Sequence, residues 1–146
     1  LHSGRKVYGG GGITPDIYIN TDSIKLSASL IGVYNSAAFE HTVIDYCDMV
    51  NPDKLKELYP TIEEFNTRFM ADAELLDIFY LWAGNTEFSD TDNRFIRTML
   101  KTVVAEIVFG ENARHYIYGI GFDHTLQQSI SIAANEELMH KYLTQH

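Results

Sequence analysis

The sequence predicts a mainly α-helical domain of about six to eight helices, preceded by a short extended/β segment. Three observations lead to this prediction. Apolar residues recur at helical spacing from about residue 24 onward, and residues typical of helix starts and stops separate them. Before Asn20, in contrast, short strand-like stretches surround a run of four glycines. We therefore divide the chain into an extended segment, residues 1–20, and a helical domain, residues 21–146.

Composition is that of an ordinary globular domain. The chain has 146 residues, 45% hydrophobic and 21% charged, with a formal net charge of -9. This charge argues against nucleic acid or an anionic membrane as a partner, because both require clustered Lys and Arg. No apolar run approaches the roughly 18 residues of a membrane span. The single cysteine, Cys47, excludes an internal disulfide.

Acidic residues concentrate between Thr61 and Asp92. Eight acids in this stretch face only Arg68, which gives a local balance of -7. We expect a solvated face here, and an acidic docking surface is the alternative.

Three helices are predicted within residues 24–59. The first covers residues 24–34, after Thr21, Asp22 and Ser23, which are typical of a helix start. The third covers residues 52–59, because Asn51-Pro52 places an N-cap residue before a proline at the first helical position. The second ends near Val50, and its apolar stripe is Phe39, Val43, Ile44, Tyr46 and Cys47.

Helical patterns continue to about residue 109. Thr61 and Glu64 have the spacing of a capping box, and so do Ser89 and Asp92, which begin the strongest pattern. Between them, Leu75, Leu76, Phe79 and Tyr80 form a stripe that should stop at Gly84, and Trp82 lies off that stripe. The pattern after Ser89 predicts the central core helix, with Arg94, Arg97 and Lys101 outside its apolar stripe. That stripe is Phe95, Ile96, Met99, Leu100, Val103, Val104, Ile107 and Val108.

The C-terminal third gives a weaker secondary-structure pattern than the residues before it. Gly110 should break or bend the long helix, and residues 113–120 fit either a helix or a strand. Asp123 is expected to cap a last helical region. Its predicted inward residues are Leu126, Ile130, Ala133, Leu138, Met139 and Tyr142.

A sequence motif near the N-terminus has four parts in a fixed order: a Gly-Arg, a predicted short strand, a glycine loop and an Ile-x-Pro-Asp. Its residues are Gly4, Arg5, Val7, Tyr8, Gly9, Gly10, Gly11, Gly12, Ile13, Pro15 and Asp16. The motif resembles the end of the protease core in the carboxy-terminal processing peptidases, also called tail-specific proteases. Residues 20–146 resemble, more loosely, the helical tail of some members of that family.

The resemblance implies a serine endopeptidase with a Ser/Lys dyad that cleaves near the C-termini of proteins, in a periplasmic or otherwise exported setting. In that family both dyad residues precede the motif, so they would precede Leu1. The chain alone is therefore expected to be non-catalytic. Its expected partners are the upstream peptidase core and, through the parent enzyme, protein or peptide substrates. Core packing, dimerisation into a homo-oligomer and partner docking remain open for the helical tail, and an independent helical interaction module is the alternative.

No catalytic pair is predicted within this chain. Ser23 and Lys25 lie two residues apart, which places them on different faces of a helix. His41 and Cys47 lie six apart, about 120° around a helix. Cys47 is interpreted as a small core residue.

No metal or cofactor site is predicted either. Glu136 and His140 have the i, i+4 spacing of a ligand pair, but such a pair alone is a weak indication of metal. The glycine run lacks the Gly-Lys-Ser/Thr ending of a phosphate-binding loop.

Overall fold

A computed structural model describes residues 25–144, in which nine α-helices and no strand are present. The helices are α1 (Ala28–Tyr34), α2 (Ala38–Val50), α3 (Pro52–Leu58), α4 (Ile62–Arg68), α5 (Ala73–Trp82), α6 (Asp90–Phe109), α7 (Glu111–Phe122), α8 (His124–Ala133) and α9 (Glu136–Thr144). The mainly helical prediction is confirmed. The predicted extended segment and its motif lie outside the described residues.

The helix count exceeds the predicted six to eight because the last helical region is divided in two. The Ala134 and Asn135 N–H groups still bond back to Ile130 and Ile132 of α8. The Asn135 side chain then accepts a hydrogen bond from the Leu138 N–H at 3.1 Å, as an N-cap does. Asn135 therefore begins α9 as a separate helix.

Helix α6 is the centre of the fold, as predicted, and packs against α2, α3, α4 and α7. The predicted capping box is present, since the Ser89 hydroxyl accepts from the Asp92 N–H and the Asp92 carboxylate accepts from the Ser89 N–H. Most of the predicted stripe is buried. The prediction that Ile107 is buried is wrong. Val104 and Val108 face the core, whereas Ile107 lies to one side of the stripe and is 42% exposed.

Aromatic rings fill the space between α6 and the helices before it. Phe39 of α2 packs against Phe79 of α5 with ring centroids 4.8 Å apart. Phe65 and Phe69 are both buried and stack with ring centroids 4.4 Å apart. The buried hydroxyls of Thr42 and Thr102 each donate to the carbonyl four residues earlier in their own helix, so these polar groups are satisfied inside the core.

The first helix begins later than predicted. Ser27, not a residue at 21–23, is the N-cap, and its hydroxyl accepts from the Leu30 N–H. The Ser27 N–H itself donates to the Asp92 carboxylate at 3.0 Å, a long-range bond that holds this residue in extended geometry. Among the large apolar residues of α1, Leu30 is fully buried, whereas Ile31 and Tyr34 are about half exposed.

Several predicted helix boundaries are confirmed. The Asn51 side chain caps α3, and the Thr61 hydroxyl caps α4. In α2 the predicted stripe is buried except for Ile44, which is 51% exposed and lies beside the stripe rather than within it. The two alternatives for residues 113–120 resolve to a helix, α7, which Gly110 separates from α6 with φ at 92°.

The C-terminal helices correct a prediction. Asp123 caps α8 as expected, but α8 has no buried residue, and Leu126 and Ile130 are 41% and 54% exposed. Leu138 of α9 is exposed as well. The predicted helical period is confirmed, but α8 packs mainly on α7 and α9, so Leu126 and Ile130 are left partly uncovered.

Candidate functional site

The residues of the peptidase-like motif cannot be placed in a site. All eleven lie in residues 4–16, outside the described residues, and so does Ser23. Lys25, at the start of the described chain, is exposed.

The Cys47 thiol is a core group. Cys47 is buried on α2, and burial, with a smaller contribution from the charge of Asp48, raises the pKa of the thiol to about 11. A thiol with this pKa carries almost no thiolate at neutral pH, so it is a poor nucleophile. His41 of the same helix is exposed and stacks on Trp82 instead, with ring centroids 4.7 Å apart.

Trp82, which lies off the apolar stripe of α5, is half exposed and also contacts α2. Its indole N–H donates to the Asp45 carboxylate at 2.8 Å. The ring therefore lies between a histidine and an aspartate of α2, and it fastens α5 to α2 at the surface.

Within residues 25–144, no group of three or more His, Cys, Asp or Glu side chains could hold a metal ion. In the same part of the chain, no helix combines the length and the apolar character needed to cross a bilayer.

A cleft lies between the first half of α6 and the end of α7. It has a volume of about 550 Å³. Its lining residues are Thr91, Arg94, Phe95, Arg97, Thr98, Gly121 and Phe122. We call it the arginine cleft.

A second, more polar cavity of about 640 Å³ adjoins the arginine cleft, and Arg94 and Arg97 line both. We call it the polar cavity. Its other residues are Tyr80, Asp90 and Asn93. The Tyr80 hydroxyl donates to the Asn93 side chain at 2.8 Å, and the Asn93 amide donates to the Phe88 carbonyl, so this wall is held by hydrogen bonds.

Neither arginine of the cleft forms an ion pair with a carboxylate of the described residues. Arg97 donates to the Ala71 carbonyl at 2.9 Å, which holds its guanidinium in place. Arg94 makes only a long contact, 3.4 Å, to the Thr91 hydroxyl. The sequence placed these arginines outside the apolar stripe but did not indicate a cleft, because the cleft needs α7 to lie beside them.

Asp92, a buried acid two positions before Arg94 on α6, is occupied by other partners. Burial alone would raise the pKa of its carboxyl, but hydrogen bonds from Ser27 and Ser89 outweigh burial and lower the pKa. The carboxylate accepts from the Ser89 hydroxyl at 2.8 Å and from the Ser27 N–H at 3.0 Å. Its charge is therefore used to cap α6 and to fix Ser27.

Comparison with known proteins identifies no relative. No protein-family model, no curated protein and no solved structure matches the chain.

Proposed function

We propose that this chain is the non-catalytic C-terminal helical domain of a Ser/Lys-dyad serine endopeptidase that processes protein C-termini in a periplasmic or exported setting. One observation carries the proposal: the sequence motif of Gly-Arg, glycine loop and Pro-Asp at residues 4–16 precedes a helical domain with its own core. The catalytic serine and lysine would belong to the upstream peptidase core.

The short connection supports close contact between such a core and this domain. Asp16 and Lys25 are nine positions apart, so even a fully extended chain between them spans only about 30 Å. This distance is comparable to the diameter of a small domain. A peptidase core that includes the motif would therefore lie beside the helices at high effective concentration.

We assign the docking surface for that core to the exposed side of α8 around Leu126 and Ile130, which we call the α8 face. Helix α8 contains no Asp, Glu, Lys or Arg in a chain of net charge -9. Covering it therefore removes apolar surface from water without stripping water from a charge. A covalently attached neighbour fits this surface best, because the short connection already holds the neighbour nearby.

The first experiment concerns the catalytic part. We expect the coding sequence upstream of Leu1 to contain a serine at a strand-to-helix turn and a lysine some tens of residues later. A serine-directed phosphonate should label the parent protein and leave this chain unlabelled. Labelling of a serine in this chain, or an upstream sequence without that pair, would contradict the proposal.

The second experiment concerns the α8 face in the parent protein. Ile130→Glu should lower the melting temperature and the peptidase activity of the parent, because it places a charge in the covered surface. Ser131→Glu, an exposed neighbour on the same helix, is the matched control and should change neither. Equal effects of the two variants would show that the core docks elsewhere.

An independent helical interaction module remains the second candidate. It is favoured by the enclosed core of α2 to α7, which needs no second domain to cover it. The same upstream sequence distinguishes the two functions, since a module without peptidase activity would have no serine and lysine pair there.

A further inference from the structure

We propose that the arginine cleft binds an organic anion, namely a carboxylate carried on an aromatic body. The cleft offers two arginines without an ion-pair partner among the described residues, Arg94 and Arg97, and an aromatic wall at Phe95 and Phe122. Its volume of about 550 Å³ falls within the range of about 300–1,000 Å³ that is typical of small-molecule sites. This inference is independent of any peptidase core.

The charge of the cleft selects an anion. Arg94 and Arg97 have no carboxylate partner among the described residues, although the chain is acidic as a whole. Arg97 is already positioned by its bond to Ala71, so little side-chain freedom is lost when it binds a ligand. A guanidinium can bind a carboxylate through two parallel hydrogen bonds.

The position of the other acids locates the bound carboxylate. Asp92 is engaged by Ser27 and Ser89, so it does not compete for the arginines. Asp90 lines the polar cavity and not the arginine cleft. An anion is therefore repelled from the polar side and favoured on the side of Phe95 and Phe122.

The remaining walls select an aromatic body rather than a second polar group. The Phe95 and Phe122 rings lie 4.9 Å apart at 35°, and an added ring can pack against them. The Thr98 hydroxyl donates to the Arg94 carbonyl, which leaves its methyl group toward Gly121. A Cβ at Gly121 would lie 2.7 Å from that methyl, so α6 and α7 approach each other closely where both line the cleft.

The test is a titration of the ¹⁵N-labelled full chain with 3-phenylpropionate, followed by NMR. We expect saturable shifts of the backbone amides of Thr98, Gly121 and Phe122, with a Kd of about 1 mM for so small a ligand. The neutral analogue 3-phenylpropanamide and inorganic phosphate should each bind at least about tenfold more weakly, since one lacks the charge and the other the ring.

Arg94→Gln should weaken 3-phenylpropionate binding about tenfold or more and leave the fold intact, because Arg94 is exposed. Arg68→Gln removes the same charge from α4, where Arg68 lies over the Tyr59 ring, and should leave binding unchanged. Three results would overturn the proposal: no saturable shift up to about 20 mM ligand, equal binding of the amide or of phosphate, or equal weakening by the two variants.

Discussion

The helices α2 to α7 and the pair α8 and α9 have similar amphipathic sequences but different surroundings. The first group encloses the core, in which side chains such as Phe39, Phe79 and Ile96 are at most 2% exposed. Helix α8 has no buried residue, although Leu126 and Ile130 recur at the same helical spacing. The comparison teaches that periodicity determines which face of a helix is apolar, whereas burial also requires a surface to cover that face. In the core α6 provides that surface.

The largest effect that distinguishes the two regions is expected from Phe79→Ala. Phe79 is fully buried and packs against Phe39 and Phe88. Removing its ring leaves a cavity, which should lower the free energy of unfolding by about 3–5 kcal/mol. The stability loss is measured by comparing the denaturant midpoints of the variant and the unsubstituted chain by circular dichroism. A loss below about 1 kcal/mol would mean that the core is not packed as described.

A smaller effect, dependent on pH, is expected from Asp92→Asn. Because the pKa of Asp92 is lowered in the folded protein, its charge stabilises the fold above the unfolded pKa of about 4. That stability is lost as the pH falls through the folded pKa. The variant should therefore cost about 1–3 kcal/mol at pH 7 and progressively less below about pH 4.

Asp90→Asn is the control for this prediction, because Asp90 is an exposed acid in the same helical turn. It should change the stability by no more than about 0.5 kcal/mol. Thermal unfolding of both variants at pH 7 and pH 3 gives the comparison. A cost of Asp92→Asn that does not vary between these pH values would contradict the assigned role of the carboxylate.

The junction between α6 and α7 should be sensitive to Gly110→Ala. Gly110 has φ 92° and ψ 176°, a backbone region that is open essentially only to glycine. Alanine there should cost about 1–3 kcal/mol. Gly32→Ala in α1, where an added Cβ meets no atom within 4 Å, should be neutral or stabilise by up to about 1 kcal/mol. Similar melting temperatures for the two variants would refute this description of the junction.

The smallest effect is expected in the uncovered region. Ile130→Ala in the isolated chain should change stability by no more than about 0.5 kcal/mol, because Ile130 is 54% exposed. Amide hydrogens of α8 should also exchange faster than those of α6, since α8 can open without unfolding the core. A cost near 2 kcal/mol for Ile130→Ala would show that α8 is already covered in the isolated chain.

Local signals were sufficient for most of the fold. The caps at Asn51, Thr61, Ser89 and Asp123 act between residues close in sequence, so their chemistry could be recognised directly. The start of α1 could not be predicted, because it depends on the bond between Ser27 and Asp92, which are 65 positions apart. The three candidate cap residues at 21–23 directly precede the predicted helix of residues 24–34, whereas Ser27 lies within that range.

The arginine cleft shows the same limit for the site. Arg94 and Arg97 were visible as charged residues on the long helix, but their proximity to Gly121 and Phe122 depends on how α7 turns back after Gly110. The ambiguity of residues 113–120 between helix and strand also concealed α7. Long-range packing, not local propensity, brings these residues together.

The hydrogen bond between Ser27 and Asp92 also determines how the domain would respond to tension. A pull on the chain at Lys25 reaches Ser27, and from there passes to the first turn of α6 as well as to α1. The load is thus applied to the helix that packs against α2, α3, α4 and α7. Helices α8 and α9 lie outside this path, so the domain would hold the preceding polypeptide through its most firmly packed element.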